Sequence, residues 1–407
     1  MIQDAGLPND TGKSHDDHLF TPLKLRALST TSESFSCHVD TLYKETVGGR
    51  TDGAAEALRR HWEYMLLNLA RVTFMRRWLA VSLTKNAYAN DYWLKKYGLS
   101  YACMKVITDY LKESGLAEIR PGKKYLKNPK RTRVFPNELF QKQLIQYFLD
   151  SEQPIEPPYV SINGDSDSDW FMTIVSLPAD HSDMAGMLEI NEFLKSHQWA
   201  CKAPVRLVYK DDPFHAGRLI TPFNSLPDRK IKIRINTLID GQDICEVDFS
   251  ANHLRMNLAI LGKEDAGDSP YEDIAELAKG MERAKVKKFI TVAMSASGEN
   301  EAFSALKQDG FNKGTFIQLK DATLKRYPKL SLFSGFGVNA QSLEGQILKQ
   351  VMLEGVKANI VGLPVHDAIA VAQSNESWAK EAMLRAWTEH VSPKGVRINT
   401  KVKVDYP

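Results

Sequence analysis

The chain reads E-V-D-F-S-A-N-H-L-R over residues 246–255 and L-P-V-H-D-A-I-A-V over residues 363–371. Each stretch carries an aspartate, Asp248 or Asp367, within a hydrophobic run that has the pattern of a β-strand. Burial of a lone carboxylate costs free energy unless the charge has a partner, and a divalent metal ion is a suitable one. We therefore expect two strands, distant in sequence, that bring their aspartates to a shared metal site.

The size and composition are those of a globular protein. The chain has 407 residues, of which 43% are hydrophobic and 25% charged, so it can form a large core in two or three domains. No apolar run has the length of a membrane span, and the polar N-terminus lacks the apolar region of a signal peptide. We expect a cytoplasmic protein without membrane contact. Its cysteines are expected to be reduced and lack metal-ligand spacing: Cys37, Cys103, Cys201 and Cys245.

Positive charge is concentrated in one part of the chain. Residues 55–145 contain 18 Lys and Arg against 7 Asp and Glu, although the whole chain has a formal net charge of only +3. A segregated basic region favours a polyanionic partner such as nucleic acid. This segment is therefore the predicted nucleic-acid-binding part of the chain.

The sequence divides into four predicted segments. Residues 1–50, which are rich in Ser, Thr, Asp and Gly, are predicted to form a flexible leader. Residues 54–148 are predicted to form a basic helical and winged-helix-like region that begins with a helix over residues 54–83. A linker rich in Pro, Ser and Asp is expected over residues 149–170, and the main domain over residues 171–407.

Residues 100–133 have the pattern of a winged helix, in which a helix is followed by a basic β-hairpin. Ser100 is a suitable N-cap for a helix over residues 102–112, Gly115 ends that helix, and two short strands follow. Residues 120–133 include seven basic residues and no acidic one, which favours contact with phosphates over a merely solvated hairpin. The residues predicted to contact nucleic acid here are Lys123, Lys124, Arg131 and Arg133.

The order of motifs in the second half of the chain resembles a known polymerase family. G-R-L at residues 217–219 precedes D-F-S-x-x-x-L-R at residues 248–255, R-x-x-x-K at residues 283–287 and V-H-D at residues 365–367. This series is similar to the palm and fingers of family A polymerases, the group of bacterial DNA polymerase I. It is more distantly similar to the single-subunit phage-type RNA polymerases. The resemblance covers residues 210–375, and the first acidic motif matches the family's spacing between acid and arginine.

By this resemblance, the two aspartates bind two Mg²⁺ ions, with Mn²⁺ as a possible substitute. Asp248 contacts both ions through its carboxylate, the backbone carbonyl of Phe249 helps to hold one of them, and Asp367 is the second shared ligand at a hairpin turn. Mg²⁺ prefers oxygen ligands, so two carboxylates with water and phosphate oxygens suffice. A purely structural alternative is a strand that ends before a helix capped by Ser250 or Asn252.

The resemblance also implies contacts with substrates. Arg283 and Lys287 are four residues apart and so share one helix face, where they hold the β- and γ-phosphates of a nucleoside triphosphate. The alternative is a solvated amphipathic helix. His253 stands where the family's DNA polymerases carry a glutamate that shields the 2′ position, and its bulky imidazole favours dNTPs. Contacts with nucleic acid are implied for Arg218, Arg255, Gln341 and His366.

Several positions depart from the family pattern. Aromatic positions of the fingers helix fall at Thr291 and Ser295, and the glycine that follows falls at Ala296. Ala368 stands where many DNA polymerases have a glutamate after H-D, and the phage-type RNA polymerases also lack that acid. These departures concern the selection of base and sugar, whereas the predicted metal ligands are kept.

The predicted protein belongs to the α+β class, with a right-hand polymerase palm and compact fingers preceded by the basic winged-helix-like domain. The favoured function is Mg²⁺-dependent, template-directed DNA synthesis on a DNA primer–template, by a polymerase of a plasmid, phage or other mobile element. One alternative is an RNA polymerase or primase that uses NTPs. The other is a catalytically inactive DNA-binding protein of replication or regulation. The intact acids, with Arg283 and Lys287, favour an enzyme.

Overall fold

The structure, a computed structural model, describes residues 7–8, 17–27, 29–90, 92–122, 131–163, 181–210, 217–228, 232–262, 264–392, 398 and 400–407. The helices are α1 (Ser32–Thr46), α2 (Asp52–Met75), α3 (Lys85–Asn90), α4 (Tyr92–Lys96), α5 (Tyr101–Glu113), α6 (Glu138–Leu144), α7 (Ser182–Leu194), α8 (Asn252–Asn257), α9 (Pro270–Leu277), α10 (Arg283–Ser295), α11 (Glu299–Gln308), α12 (Lys313–Arg326), α13 (Phe336–Ala358) and α14 (Glu376–Val391). The strands are β1 (Asp17–Leu19), β2 (Lys24–Leu25), β3 (Trp78–Val81), β4 (Ala117–Arg120), β5 (Thr132–Pro136), β6 (Ser151–Glu152), β7 (Val160–Asn163), β8 (Arg206–Lys210), β9 (Arg218–Ile220), β10 (Leu238–Ile239), β11 (Gln242–Phe249), β12 (Leu363–Val365), β13 (Ala368–Ala372) and β14 (Val402–Asp405). This content confirms the predicted α+β class. None of the described helices is long and apolar enough to cross a membrane.

The N-terminal half is built around a four-stranded sheet in the order β1-β3-β5-β4. Strand β5 pairs antiparallel with both β3 and β4, so the strand before helices α3 to α5 joins the hairpin that follows them. Helix α2 packs against β3 and β5, and its Trp and Leu side chains are buried. Ser100 caps α5 by accepting a hydrogen bond from the backbone N–H of Cys103 at 3.2 Å, which confirms the predicted helix start.

Two predictions for the N-terminal half give the wrong residue range. The predicted flexible leader contains α1, whose Phe35 and Val39 are buried because apolar residues four apart share one helix face. The helix predicted over residues 54–83 ends at Met75. Arg76 takes a left-handed conformation (φ 54°) there, and the uninterrupted apolar run that follows forms β3 instead of more helix.

The prediction of a linker over residues 149–170 is wrong for residues 149–163. These residues include β6, which pairs with β2, and β7, which pairs with β8. Ile155 and Tyr159 are buried in the same hydrophobic core as the sheets, because burial of apolar surface offsets the entropy lost in ordering the segment. Residues 164–170 lie outside the described ranges.

The second half centres on an antiparallel sheet in the order β10-β11-β13-β12, with β14 also paired to β11. In this register Asp248 of β11 lies opposite Ala368 of β13 and opposite Lys403 of β14. Helix α14 packs on β11 and β13 and on α13, and its Trp387 is fully buried. This packing fixes the strand ends at which the two predicted acids lie.

Residues 254–330 form a second, separate hydrophobic cluster from helices α8 to α12. The cluster occupies the sequence position predicted for the fingers, between the two acidic motifs. The sequence pattern predicts a single helix over residues 272–295, and this prediction is wrong. Lys279 and Gly280 take left-handed conformations (φ 57° and 73°), so the segment is divided into α9 and α10.

Most elements predicted around the two motifs are confirmed. The sequence pattern predicts strands over residues 244–249 and 368–372 and a helix over residues 342–357. These elements are β11, β13 and the greater part of α13. The pattern also predicts a strand over residues 360–363, but β12 begins only at Leu363. The backbone N–H of Ile360 still donates to the carbonyl of Gly355 at the end of α13, so it cannot start a strand ladder.

Helix α13 approaches the backbone of Gly217 very closely. A Cβ atom at Gly345 would lie 2.0 Å from the carbonyl oxygen of Gly217, a distance that excludes a side chain at this position. On Gly217 itself a Cβ atom would lie 2.6 Å from the ring of Tyr209. Two glycines therefore determine how closely α13 approaches strand β9, which begins at the next residue.

Replacement of Gly345 by alanine (Gly345→Ala) is expected to lower the free energy of unfolding by about 2–3 kcal/mol, because the methyl group forces α13 away from Gly217. Chemical denaturation monitored by circular dichroism measures the change. Gly53→Ala is the matched control, since Gly53 lies in α2 with no atom within 4 Å of the added methyl. That variant should be neutral or slightly more stable, and equal effects of the two replacements would contradict the packing described for α13.

Candidate active site

Asp248 and Asp367 meet at one end of the central sheet. Asp248 is the penultimate residue of β11, and it pairs in register with Ala368, which directly follows Asp367. His366 and Asp367 form the two-residue turn between β12 and β13, in which His366 takes a left-handed conformation (φ 57°). The predicted hairpin turn at Asp367 is confirmed, and antiparallel pairing brings together two acids that are far apart in sequence.

The electrostatics of this site show an excess of negative charge. Burial, together with the negative charges of Glu344 and Asp248, raises the pKa of Asp367 to about 7. Nζ of Lys403 lies 3.1 Å from Oδ2 of Asp248 and 3.2 Å from Oδ2 of Asp405. Burial lowers the pKa of Lys403, but these two carboxylates outweigh that effect and raise it. One ammonium group thus faces several acids, which leaves the site favourable for a further cation.

The donor set fits Mg²⁺. Carboxylate oxygens such as those of Asp248 and Asp367 are the hard ligands that Mg²⁺ prefers, and water and phosphate oxygens commonly complete its coordination. Phe249, whose carbonyl is a predicted ligand, ends β11 and lies opposite Val402 of β14. Within the described ranges, no group of three or more His, Cys, Asp or Glu side chains is arranged to hold a metal ion. A metal bound by the two aspartates therefore needs further oxygens from substrate or water.

A third acid at this site, Glu344, is not among the residues predicted from sequence. It projects from α13 and is buried. Its Oε1 accepts a hydrogen bond from Nδ2 of Asn252 at 3.0 Å and lies 2.7 Å from Nε2 of His253. Nε1 of Trp387 donates to Oδ1 of Asn252 at 3.0 Å. A signal for Glu344 exists in the sequence, because an acid on the apolar face of a predicted helix is the same anomaly that marks the two aspartates.

His253 lies in the first turn of α8 and faces Glu344. Burial lowers the pKa of His253, but the hydrogen bond and charge of Glu344, with the charge of Asp367, outweigh burial and raise it. The positive charge of Arg218 opposes this increase, so the exposed Arg218 side chain lies within electrostatic reach of the imidazole. The fold therefore brings four of the predicted site residues together, namely Asp248, Asp367, His253 and Arg218.

Arg283 and Lys287 lie one turn apart on an exposed part of α10. Nε of Arg283 is 2.6 Å from Oε1 of Glu272, and its guanidinium carbon is 5.3 Å from the ring centre of Tyr271. Burial raises the pKa of Tyr271 to about 12, and the charges of both Arg283 and Asp367 also act on it. Tyr271 is thus close to the candidate phosphate-binding arginine and to the aspartate site.

The remaining residues of this half predicted to contact nucleic acid have different environments. Arg255 is buried, and its guanidinium donates to the backbone carbonyls of Ser250 at 2.8 Å and Asp268 at 3.3 Å. This position argues for a structural role of Arg255 and against direct contact with nucleic acid. His366 is exposed at the hairpin turn, and Gln341 is half-buried on α13.

The basic hairpin of the N-terminal half is only partly described. Arg133 is buried in β5, and its Nε lies 2.7 Å from Oδ1 of Asp17. It is therefore part of a structural ion pair, which argues against the predicted contact with phosphates. Arg131 directly precedes β5 and is half-buried, whereas Lys123 and Lys124 lie outside the described residues.

Ser295, one of the positions at which the resemblance implies an aromatic residue, lies at a close contact between two helices. The hydroxyl of Ser295, at the end of α10, donates to the carbonyl of Thr291 at 2.9 Å. A Cβ atom at Gly337 of α13 would lie only 2.3 Å from Oγ of Ser295. Helices α10 and α13 thus approach each other through small residues.

Comparison with known proteins gives little beyond this geometry. No family model matches the sequence, and no curated protein matches it. Among solved structures, the chain is similar to the POL domain of Pol1 from M. smegmatis in complex with DNA primer-template and dNTP, with a TM-score of 0.31 and 10% sequence identity. The match covers 95% of this chain and 67% of that chain. This similarity is weak.

Replacement Asp367→Asn is expected to increase the free energy of unfolding at alkaline pH in the absence of divalent ions. The pKa of this carboxyl is about 7 in the folded protein against an ordinary value of 3.8, so the folded protein retains a proton that the unfolded chain has released. Stability is therefore lost as pH rises from about 4 to about 7, and an amide does not show this loss. The variant should exceed the wild type by about 1–3 kcal/mol at pH 8 and by less at pH 5.

Denaturant titrations at these two pH values, in EDTA, measure the difference. Asp243→Asn is the control, because Asp243 is exposed on the same strand as Asp248 and its replacement should have little effect at either pH. An Asp367→Asn protein that is less stable than the wild type at pH 8 would contradict the repulsion inferred between the acids.

Proposed function

We propose that the chain is a Mg²⁺-dependent nucleotidyltransferase, and that it acts as a template-directed DNA polymerase adding dNTPs to a 3′-OH. The observation that carries this proposal is the register of β11 with β13, which puts Asp248 beside the turn that bears Asp367. The raised pKa of Asp367 supports a cation at that point. The order of motifs (acid, cationic helix, acid) supports the polymerase reaction over other phosphoryl transfers. The compact fingers segment agrees with a polymerase of a plasmid, phage or other mobile element.

Two Mg²⁺ ions, when bound, lower the pKa of the primer hydroxyl and neutralise charge on the departing pyrophosphate. Asp248 and Asp367 would hold these ions, with the backbone carbonyl of Phe249 as a further ligand. Lys403 must then release the carboxylate of Asp248. Its side chain is 56% exposed, and an ion pair so accessible to water contributes little to stability, so this release costs little.

The incoming triphosphate would be held by α10. Arg283 is the first residue of this helix, where free backbone N–H groups also attract anions, and Lys287 follows one turn later. The pair between Arg283 and Glu272 is exposed on both sides, so phosphate oxygens can replace the carboxylate at small cost. His253 would lie beside the sugar and exclude a 2′-OH by its bulk.

The N-terminal half would hold nucleic acid independently of the reaction. In this half, strand β3 is followed by helices α3 to α5 and then by the hairpin of β4 and β5, of which β5 pairs back to β3. This arrangement is typical of winged-helix domains. Lys105 and Lys112 are exposed on α5. We propose that α5 and the hairpin after it contact the duplex of the primer–template, which matches the positive charge of this part of the chain.

Two observations favour other functions. Ala368 lacks the acid that many DNA polymerases carry there, which favours an RNA polymerase or primase that uses NTPs. The ion pair between Lys403 and Asp248, with the small residue at Ser295, favours a DNA-binding protein of replication or regulation without catalysis. The half-buried, like-charged aspartates favour catalysis over both a passive scaffold and a simple binding module.

Extension of a labelled primer–template with Mg²⁺ tests the assignment, comparing dNTPs, NTPs and a reaction without template. We expect dNTP-dependent extension, reduced about 1,000-fold or more by either Asp248→Asn or Asp367→Asn, because each replacement removes a ligand shared by the ions. Asp243→Asn should retain activity, since it is exposed on the same strand.

Activity that persists in both aspartate variants would refute the two-aspartate site. Extension with NTPs alone would identify the RNA polymerase or primase. Duplex binding by a wild-type protein that extends no primer under any condition would identify the inactive DNA-binding protein.

The combined replacement Lys123→Ala and Lys124→Ala is expected to weaken duplex binding about tenfold and to reduce the slope of log affinity against log salt by about two, since each lysine releases about one counterion. Fluorescence anisotropy over a salt series measures both quantities. Lys313→Ala with Lys325→Ala is the matched control, because both lysines are exposed on α12, outside the basic segment. An unchanged salt slope in the first variant would contradict phosphate contact by the hairpin.

A further inference from the structure

The imidazole of His253 is fixed by a chain of polar contacts that spans three helices. Its Nε2 lies 2.7 Å from Oε1 of Glu344 on α13. The same oxygen accepts from Asn252 of α8 at 3.0 Å, and Asn252 accepts from Trp387 of α14 at 3.0 Å. Asn252, Glu344 and Trp387 are all buried. Rotation of the ring would break a buried, charge-assisted hydrogen bond, which is costly.

The contacts of Glu344 suit it to fix the position of a neighbouring side chain and not to bind a metal ion. It is near enough to Asp367 for its charge to act on that carboxyl, yet its Oε1 is already shared between Asn252 and His253. In the part of the chain that the structure describes, the acids of this site do not form a three-ligand metal group. We therefore expect the buried Glu344 to act through the side chains that it contacts, Asn252 and His253.

The backbone of α13, the helix that carries Glu344, is also restrained in position. Gly345 follows Glu344 and lies against the carbonyl of Gly217, so α13 cannot shift locally. The charge of Arg218, the next residue of that strand, acts on His253, as does the charge of Asp367. The imidazole is thus near both the aspartate site and the strand predicted to contact the primer–template. The proposed function places the sugar of the incoming nucleotide in this region.

We propose that Glu344 is a positioning residue that holds the imidazole of His253 against the sugar of the incoming nucleotide, and that this contact sets the discrimination between dNTPs and NTPs. The inference rests on the proposed polymerase function. Its physical basis is steric: a ring that is held in place excludes a 2′-OH, whereas a ring that is free to rotate yields to it. Rigid support of a contacting residue is the general means by which such selectivity is kept.

The test is primer extension by the full chain with dATP and with ATP, compared as ratios of kcat/KM. We expect Glu344→Ala to reduce the preference for dATP about tenfold or more, mainly through a higher kcat/KM for ATP. Glu344→Gln keeps the size and one acceptor oxygen, so it should restore most of the preference. His253→Ala should lose the same preference, and Glu344→Ala should add nothing to it in the double variant.

Glu354→Ala is the matched control. Glu354 lies on the same helix and pairs with Arg385 at 2.5 Å near the surface, so its loss should leave the preference unchanged. If Glu344→Ala does not fold, as judged by circular dichroism, Glu344→Gln is compared with the wild type instead. We then expect the preference for dATP over ATP to fall about twofold to threefold. A wild-type enzyme that prefers dATP while every Glu344 variant that folds keeps the wild-type ratio would overturn this inference alone. A wild-type protein that uses neither nucleotide would overturn the proposed function, and the inference with it.

Discussion

The antiparallel register between β11 and β13 is the constraint on which the rest of the site depends. With Asp248 opposite Ala368, the acid at the adjoining turn must lie near the end of β11. A shift of one residue would turn Asp248 to the other face of the sheet and separate the two carboxylates. The same strand pairs with β14 in a register that puts Lys403 opposite Asp248. The pairing of β11 with β13 and β14 thus determines which charged side chains of the sheet lie close together, independently of the helices.

Helix α13 completes the site by bringing buried polar groups to the sheet. The close approach of α13 to strand β9 depends on Gly345, which has no side chain to contact the backbone of Gly217. The close approach of α13 to α10 depends on Gly337, which faces Ser295. With the helix at this distance, Glu344 reaches α8 and joins the network that ends at Trp387. Small residues in a long helix therefore have an electrostatic consequence: they bring a third negative charge close enough to act on Asp367.

Local signals in the sequence were sufficient for some features and not for others. The acids in apolar runs, the cap at Ser100 and the spacing of Arg283 and Lys287 each depend on neighbours within a few residues, and the corresponding elements are present. The partners of Glu344, the pairing of Lys403 and the buried state of Arg255 depend on contacts between distant segments, which periodicity does not contain. The apolar run after Arg76 is equally consistent with a helix and with a strand, and only pairing with β5 makes it a strand.

The division of the core into two hydrophobic clusters has a thermodynamic consequence. The sheet that carries the aspartates belongs to one cluster, whereas α10, which carries the cationic residues, belongs to the other. Packing free energy is therefore largely shared within each cluster, and partial opening of the helical one does not require loss of the sheet. The sheet that sets the separation of the two aspartates can therefore persist while the helical cluster opens. Stabilising mutations in the two clusters would act separately on these two parts of the chain.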